Sequence, residues 1–209
     1  MRLFVCARSD MPKRWSKGGI LMWKLRDIVV AAILSVVCGA IYLSWDLLTG
    51  IFAAAWSPIA YGLLNGLWWL AAGLVPYIIR RPGAAFFAEV VSAFCEFAFG
   101  SPYKWGAVIS GLLQGAGAEL GFAMGGWKKY NTAFMMLSGA LAGVGNSVQY
   151  YFQYGGNKVA PDLFIGYVVT TMISGAFVGG LVPKWIGDAL KRTGSLRNFE
   201  LGKSGQAGR

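Results

Sequence analysis

Histidine is absent from this 209-residue chain, and acidic side chains are few, nine Asp and Glu against nineteen Lys and Arg. The first absence excludes imidazole metal sites and His-based catalytic triads. The three cysteines, Cys6, Cys38 and Cys95, are odd in number and unspaced, so neither a disulfide framework nor a zinc site is written here. No glycine-rich loop ends in Lys-Ser or Lys-Thr, so the chain has no phosphate cradle with which to hydrolyse ATP. No nucleophile elbow or zinc-protease helix appears either. Charge of either sign is scarce, at 13% of residues, about half of what an ordinary soluble domain carries.

What is present is apolar. Hydrophobic residues make up 56% of the chain, and the mean hydropathy is +0.52. Thirty glycines and nine tryptophans suit helices packed in a lipid bilayer, where small residues permit close approach and indoles anchor at interfaces. Six apolar runs, 26–46, 57–79, 82–100, 105–126, 131–153 and 163–187, each approach the ~20 residues that a helix needs to cross the hydrocarbon. The expected fold is therefore an all-α integral membrane protein of six transmembrane helices. Residues 22–195 form its one membrane domain, 1–21 a basic N-terminal extension with Met22 as an alternative start, and 196–209 a basic cytoplasmic tail. No short apolar core with a small-residue cleavage site opens the chain, so no cleavable leader is expected. The apolar loop 47–56 reads as an interfacial segment.

The net charge of +10 would suggest nucleic acid in a soluble protein; here its placement says otherwise. With both termini inside, all of the nineteen Lys and Arg except Lys104 and Lys158 fall on the inner flanks. That asymmetry is a topology signal. It predicts a multi-pass plasma-membrane protein, N-in and C-in, with no nucleic-acid partner.

The stretch from Arg80 to Glu119 holds the chemistry. It joins two apolar runs by the turn Gly100-Ser101-Pro102-Tyr103-Lys104-Trp105 and carries Glu89, Glu96, Gln114 and Glu119 inside them. Ionisable groups in a membrane span are costly, about 2.5–3.5 kcal/mol at mid-depth, and mark function by default. Glu89 and Glu96 are seven apart, so they share a helical face with an offset of ~20° and a rise of ~10 Å. No Lys or Arg in any run can pair with them. Gln114 and Glu119 lie about 140° apart around their helix and cannot both face one narrow site. Glu119 is read either as a site residue, as a gate, or as an interhelical bond.

Further polar and aromatic groups gather toward the outer ends of the runs: Tyr42, Tyr61, Asn65, Trp68, Asn146 and Tyr150. Trp68 sits near mid-span, where an interfacial belt does not account for it. An aromatic face near a carboxylate suits a flat cationic ring. These residues with Glu89, Glu96, Gln114 and Glu119 form the candidate substrate-binding set. Small residues at four-residue spacing, Ala31, Ser35 and Gly39, form a seam on the first helix that reads as a partner surface. Gly139-x3-Gly143 and Gly175-x3-Gly179 read as internal packing.

The pattern Arg80-x-Pro82-Gly83-Ala84-Ala85-x3-Glu89-x6-Glu96-x3-Gly100-x-Pro102, followed by Gln114-Gly115-x-Gly117-Ala118-Glu119, resembles the YkoE family. So do Pro58-Ile59-Ala60-Tyr61 and Gly66-x-Trp68, and the likeness runs from about Trp23 to Gly202. These are substrate-capturing S components of energy-coupling factor (ECF) vitamin transporters, associated with thiamine and its hydroxymethylpyrimidine precursor. The resemblance implies a six-helix S component with thiamine as ligand and no cofactor of its own. It implies as partners a transmembrane coupling protein and two cytoplasmic ATPase domains that use the ATP. The other reading of the residues is a proton-coupled exporter of organic cations, which would work through a membrane glutamate without such partners.

Overall fold

The computed structural model describes residues 23–53 and 57–203, and these are helical, with no strand among them. Element α1 spans Leu25–Ala53. A broken rod follows: α2 (Pro58–Gly62), a 3₁₀ turn (Asn65–Trp69) and α3 (Leu70–Ile79). Then come α4 (Ala84–Ala98), α5 (Trp105–Met124) and α6 (Thr132–Gln153). The last rod is α7 (Pro161–Ser174), a π-helical segment (Gly175–Leu181) and α8 (Val182–Arg192), and the short α9 is Glu200–Lys203. The six apolar runs thus appear as six rods. Four of them, at 25–51, 58–79, 105–124 and 161–192, are long and apolar enough on their own to cross a membrane. Element α4 has only 15 residues, about 22 Å of helix, and α6 carries the amides of Asn146, Gln149 and Gln153.

The rods alternate in direction and sort the charge. At one end Trp23 Nε1 donates to Pro82 O at 3.1 Å, and Arg81 lies 3.8 Å from both Asp27 and Glu200. Tyr77 OH and Lys184 Nζ both donate to Asp188, each at 2.7 Å. The opposite end joins Ser101 to Asp46, Tyr61 to Tyr103 and Tyr103 to Tyr154. Lys104 precedes α5 there, and Lys158 follows α6.

Three expectations meet a different outcome. Residues 47–53, read as an interfacial loop, continue α1; the one hydroxyl among them, on Thr49, donates back to Trp45 O at 2.8 Å within the helix. Residues 196–203, read as a tail, pack back on the basic end, with Leu196 and Leu201 buried. The extension 1–21 lies outside the described residues.

The third concerns the seam Ala31, Ser35 and Gly39, expected to face a partner. Ala31 and Ser35 are fully buried, and a Cβ on Gly39 would collide with Ser92 O and Cys95 Cβ. Small residues drew α1 onto the chain's own α4, leaving Val29, Ile33, Val36 and Val37 as the outward face of α1. The other two glycine pairs do pack internally: a Cβ on Gly139 would strike Gly175 O, and one on Gly179 would strike the Trp69 indole.

Candidate functional site

The site is built around the break between α2 and α3. A broken helix exposes N–H and C=O groups that an apolar interior cannot leave unpaired. Ser174 serves two of them: its hydroxyl donates to Leu63 O at 2.6 Å and accepts Gly66 N–H at 3.0 Å. Gly66 allows that approach, since a Cβ there would meet the Ser174 backbone. Trp45 Nε1 donates to Leu64 O at 3.1 Å. The first turn of α3 is served from α1 and α4. Ala71 N–H donates to Tyr42 OH at 2.8 Å, Tyr42 OH donates to Glu89 Oε2 at 3.0 Å, and Ala72 N–H donates to the same Oε2 at 3.1 Å. A carboxylate at a helix N-terminus is also favoured by the helix dipole.

Beside this break lies a cavity of ≈ 210 Å³. Glu89 and Glu96 of α4 form one wall, and Gln114 of α5 and Asn146 of α6 face them. Tyr61, Trp68, Tyr103, Tyr150 and Tyr154 supply the aromatic surface, and no Lys or Arg contributes to the lining. The amides are held in place by one another. Gln114 Nε2 donates to Asn146 Oδ1 at 2.8 Å, and Asn146 Nδ2 and Asn65 Nδ2 both donate to Tyr167 OH, at 2.8 and 2.9 Å. Tyr150 stacks on Tyr167 with centroids 4.1 Å apart. Trp68 lies 6.2 Å from Tyr61 and 6.5 Å from Tyr103.

Glu96 belongs to a second buried cluster. The Ser101 hydroxyl stands 2.9 Å from Glu96 Oε1 and 2.8 Å from Asp46 Oδ2, and Trp68 Nε1 donates to Asp46 Oδ1 at 2.7 Å. Asp46 therefore fixes the indole from behind. Among the described residues no donor is bonded to Glu89 Oε1 or Gln114 Oε1, so the cavity offers acceptors. It suits a ligand that brings a cationic ring or N–H groups, with flat surfaces to stack.

Of the ten site candidates, Tyr61, Asn65, Trp68, Glu89, Glu96, Gln114, Asn146 and Tyr150 line this one cavity. Tyr42 does not; it is buried behind Glu89, and its hydroxyl completes the α3 cap. Glu119 is a correction. Its carboxylate accepts Gly83 N–H at 2.7 Å, Ala85 N–H at 3.0 Å and Phe86 N–H at 3.3 Å, and also the Trp127 indole N–H. It caps the N-terminus of α4 at the basic end, because three backbone donors there need an acceptor. Asp46 and Tyr167 read only as polar groups near the outer ends of their runs, and Ser101, Tyr103 and Tyr154 were not singled out from the sequence. Asp46 read as the end of a helix, and Ser101-Pro102-Tyr103 as a turn.

A broken helix held open by carboxylate and hydroxyl groups, beside a polar and aromatic cavity inside a helical bundle, defines a membrane-embedded substrate-binding component. The comparisons agree. The fold matches a crystal structure of an S-component of an ECF transporter with a TM-score of 0.87 and 32% identity, over 90% of this chain and 95% of that one. A Bacillus subtilis (strain 168) protein with the provisional name HMP/thiamine permease protein YkoE is 33% identical over 181 residues, 87% of this chain and 91% of its own. Residues 26–145 match the family described as the permease component of an ABC-type cobalt transport system. The chain belongs to this family of transporter S components, as a membrane transport subunit and not an enzyme. Among the described residues no three His, Cys, Asp or Glu converge on a metal position.

Proposed function

We propose that this chain captures thiamine or its hydroxymethylpyrimidine precursor from outside the cell and hands it inward as part of an ECF importer. The observation that carries the reading is the cavity wall: two carboxylates and three amides facing aromatic rings, with no cationic side chain in the lining. Thiamine brings a permanently charged thiazolium and an aminopyrimidine, which matches acceptors on one side and π-faces on the other. Glu96 or Glu89 takes the cation or the pyrimidine, Gln114 and Asn65 the polar edge, and Trp68 a ring face. The name of the Bacillus relative points to the same ligands.

The cation-poor end, nearest the cavity, faces outward under the positive-inside rule, and the basic end faces the cytoplasm. A transmembrane coupling protein and two ATPase domains meet the chain from that side and supply the ATP-driven step. Native mass spectrometry of the purified chain, with titration calorimetry, tests the ligand. Retention of thiamine or hydroxymethylpyrimidine, or saturable heat with either, supports the reading. Retention of neither and no heat with either overturns it.

A further inference from the structure

The Ser101 hydroxyl has one hydrogen and two carboxyl neighbours. It lies 2.8 Å from Asp46 Oδ2 and 2.9 Å from Glu96 Oε1, while Tyr103 N–H donates to it at 3.3 Å. One hydroxyl hydrogen cannot serve two carboxylates, so the second contact requires a proton on one of the acids. Asp46 and Glu96 are 1% and 4% exposed, and neither forms an ion pair with a Lys or Arg among the described residues. Two unscreened negative charges at this spacing repel, and a shared proton removes the repulsion. The other titratable groups near the pair are Glu89 of α4, Tyr61 of α2, Tyr103 of the α4–α5 turn and Tyr154 after α6. None of them is a cation. The asymmetry lies in access: Glu96 lines the cavity and Asp46 does not.

We propose that Asp46, Ser101 and Glu96 form a proton relay that keeps one proton in the site and lets Glu96 present either a donor or an acceptor to the ligand. In one state Glu96 is the acid: in the empty site it donates to Ser101 Oγ, and with a ring nitrogen bound its carboxyl turns to donate to the ligand instead, while the Ser101 hydrogen is donated to Asp46. In the other, the Asp46 acid donates to Ser101 Oγ, whose hydrogen is donated to Glu96. Passage between them breaks the O–H bond at one acid and forms one at Ser101, while the original Ser101 O–H breaks and one forms at the other acid. The net charge of the pair is unchanged, and no solvent proton is needed. A ring nitrogen that accepts a hydrogen bond draws the proton to Glu96; a cation or an amine sends it to Asp46. Asp46 is thus a positioning residue, acting through Ser101 on Glu96 and through its bond to Trp68 on the ring face.

The inference rests on the proposed ligand class only for its binding test. Infrared spectroscopy of the ligand-free full chain reads the stored proton without any ligand. Wild type is expected to show a protonated-carboxyl band that is lost equally in Asp46→Asn and in Glu96→Gln, because the one proton belongs to the pair. A band of undiminished intensity in both variants overturns the relay, whatever Glu89 contributes to it. Calorimetry with hydroxymethylpyrimidine in buffers of different ionisation enthalpy reads proton exchange on binding. Wild type is expected to exchange close to none, with affinity flat across the neutral range. In Asp46→Asn the asparagine amide donates to Ser101 and leaves Glu96 ionised. Binding a ring nitrogen there takes up about one proton, so affinity falls about tenfold per pH unit. Asp46→Ser, which removes the second acid but keeps a hydroxyl beside Ser101, gives the same uptake and guards against a folding failure of the first variant. Wild-type binding that exchanges a whole proton, or variants that exchange none, overturns the relay. Wild type binding neither pyrimidine nor thiamine sinks the proposed ligand instead, and the infrared result still decides the relay.

Discussion

Glu89 Oε2 accepts the Ala72 N–H at 3.1 Å and so fastens α4 to the first turn of α3. Tyr42 completes the joint by accepting Ala71 N–H and donating to the same oxygen. The break in the second rod is therefore held open by side chains of two neighbouring elements.

This separates two substitutions that both touch the joint. Tyr42→Phe leaves Ala71 N–H without its acceptor in a fully buried place, at a cost of about 1–3 kcal/mol. Glu89→Gln keeps an oxygen for Tyr42 and Ala72 and removes only the charge. Thermal melting in detergent is expected to fall for Tyr42→Phe and to stay near wild type for Glu89→Gln, while calorimetry shows weaker ligand binding for Glu89→Gln. Equal loss of stability in both would mean that the Glu89 charge itself supports the fold.

Glu119 holds three backbone N–H groups at the start of α4, at the opposite end of that helix from Glu96. Glu119→Ala removes the cap and is expected to cost about 1–3 kcal/mol of stability. The affinity of the folded fraction remains near wild type. A melting curve paired with calorimetry on the same preparation distinguishes this from a binding role, for which affinity would fall with melting unchanged.

The rods and most of the cavity wall are legible in the sequence, and the physical reasons are local ones. Apolar runs with Lys and Arg gathered at their ends gave the rods, since a bilayer permits few alternatives. The seven-residue spacing of Glu89 and Glu96 put both on one face, and the structure has them on one cavity wall. Glu119 misled because a carboxylate inside an apolar run looks the same whether it awaits a ligand or caps a neighbouring helix. Only the position of Gly83, brought beside it by the fold, decides between these. Asp46 was missed for a related reason. A helix-end acid is ordinarily solvated, and its burial arises from Trp68 and Ser101, 22 and 55 residues away in sequence. The α2–α3 break left a faint trace in Gly62, Asn65 and Gly66, within a run that reads as one helix.

Gly39 decides how α1 sits. A side chain there meets Ser92 O and Cys95 Cβ of α4, the helix that carries both cavity carboxylates. Gly39→Leu is expected to push the two helices apart and to lower both melting temperature and ligand affinity in the isolated chain, overpacking of this kind costing about 1–3 kcal/mol. Ile33→Ala, on the exposed face of α1, should leave both unchanged. Intact binding in Gly39→Leu, with loss only of assembly with partner subunits, would return the seam to a partner-facing role.

Glu96 is the most exposed point of the functional reading. It lines the cavity, and no Lys or Arg shares that lining. A charge-assisted contact from a ligand would be worth about 1.5–3 kcal/mol. Glu96→Gln keeps the shape and can still meet Ser101, but it loses the charge and the capacity to carry a proton. Affinity for thiamine is therefore expected to fall by roughly one to two orders of magnitude, since each 1.4 kcal/mol is tenfold. Trp68→Phe keeps a ring face but loses the bond to Asp46, and should weaken binding by less. Calorimetry on the purified variants separates the cases. Wild-type affinity in Glu96→Gln together with wild-type affinity in Glu89→Gln would make both carboxylates structural. The ligand would then have to be held by the amide and aromatic wall of Asn65, Gln114, Asn146 and Tyr150, where a neutral ring could bind but a cation would find no partner.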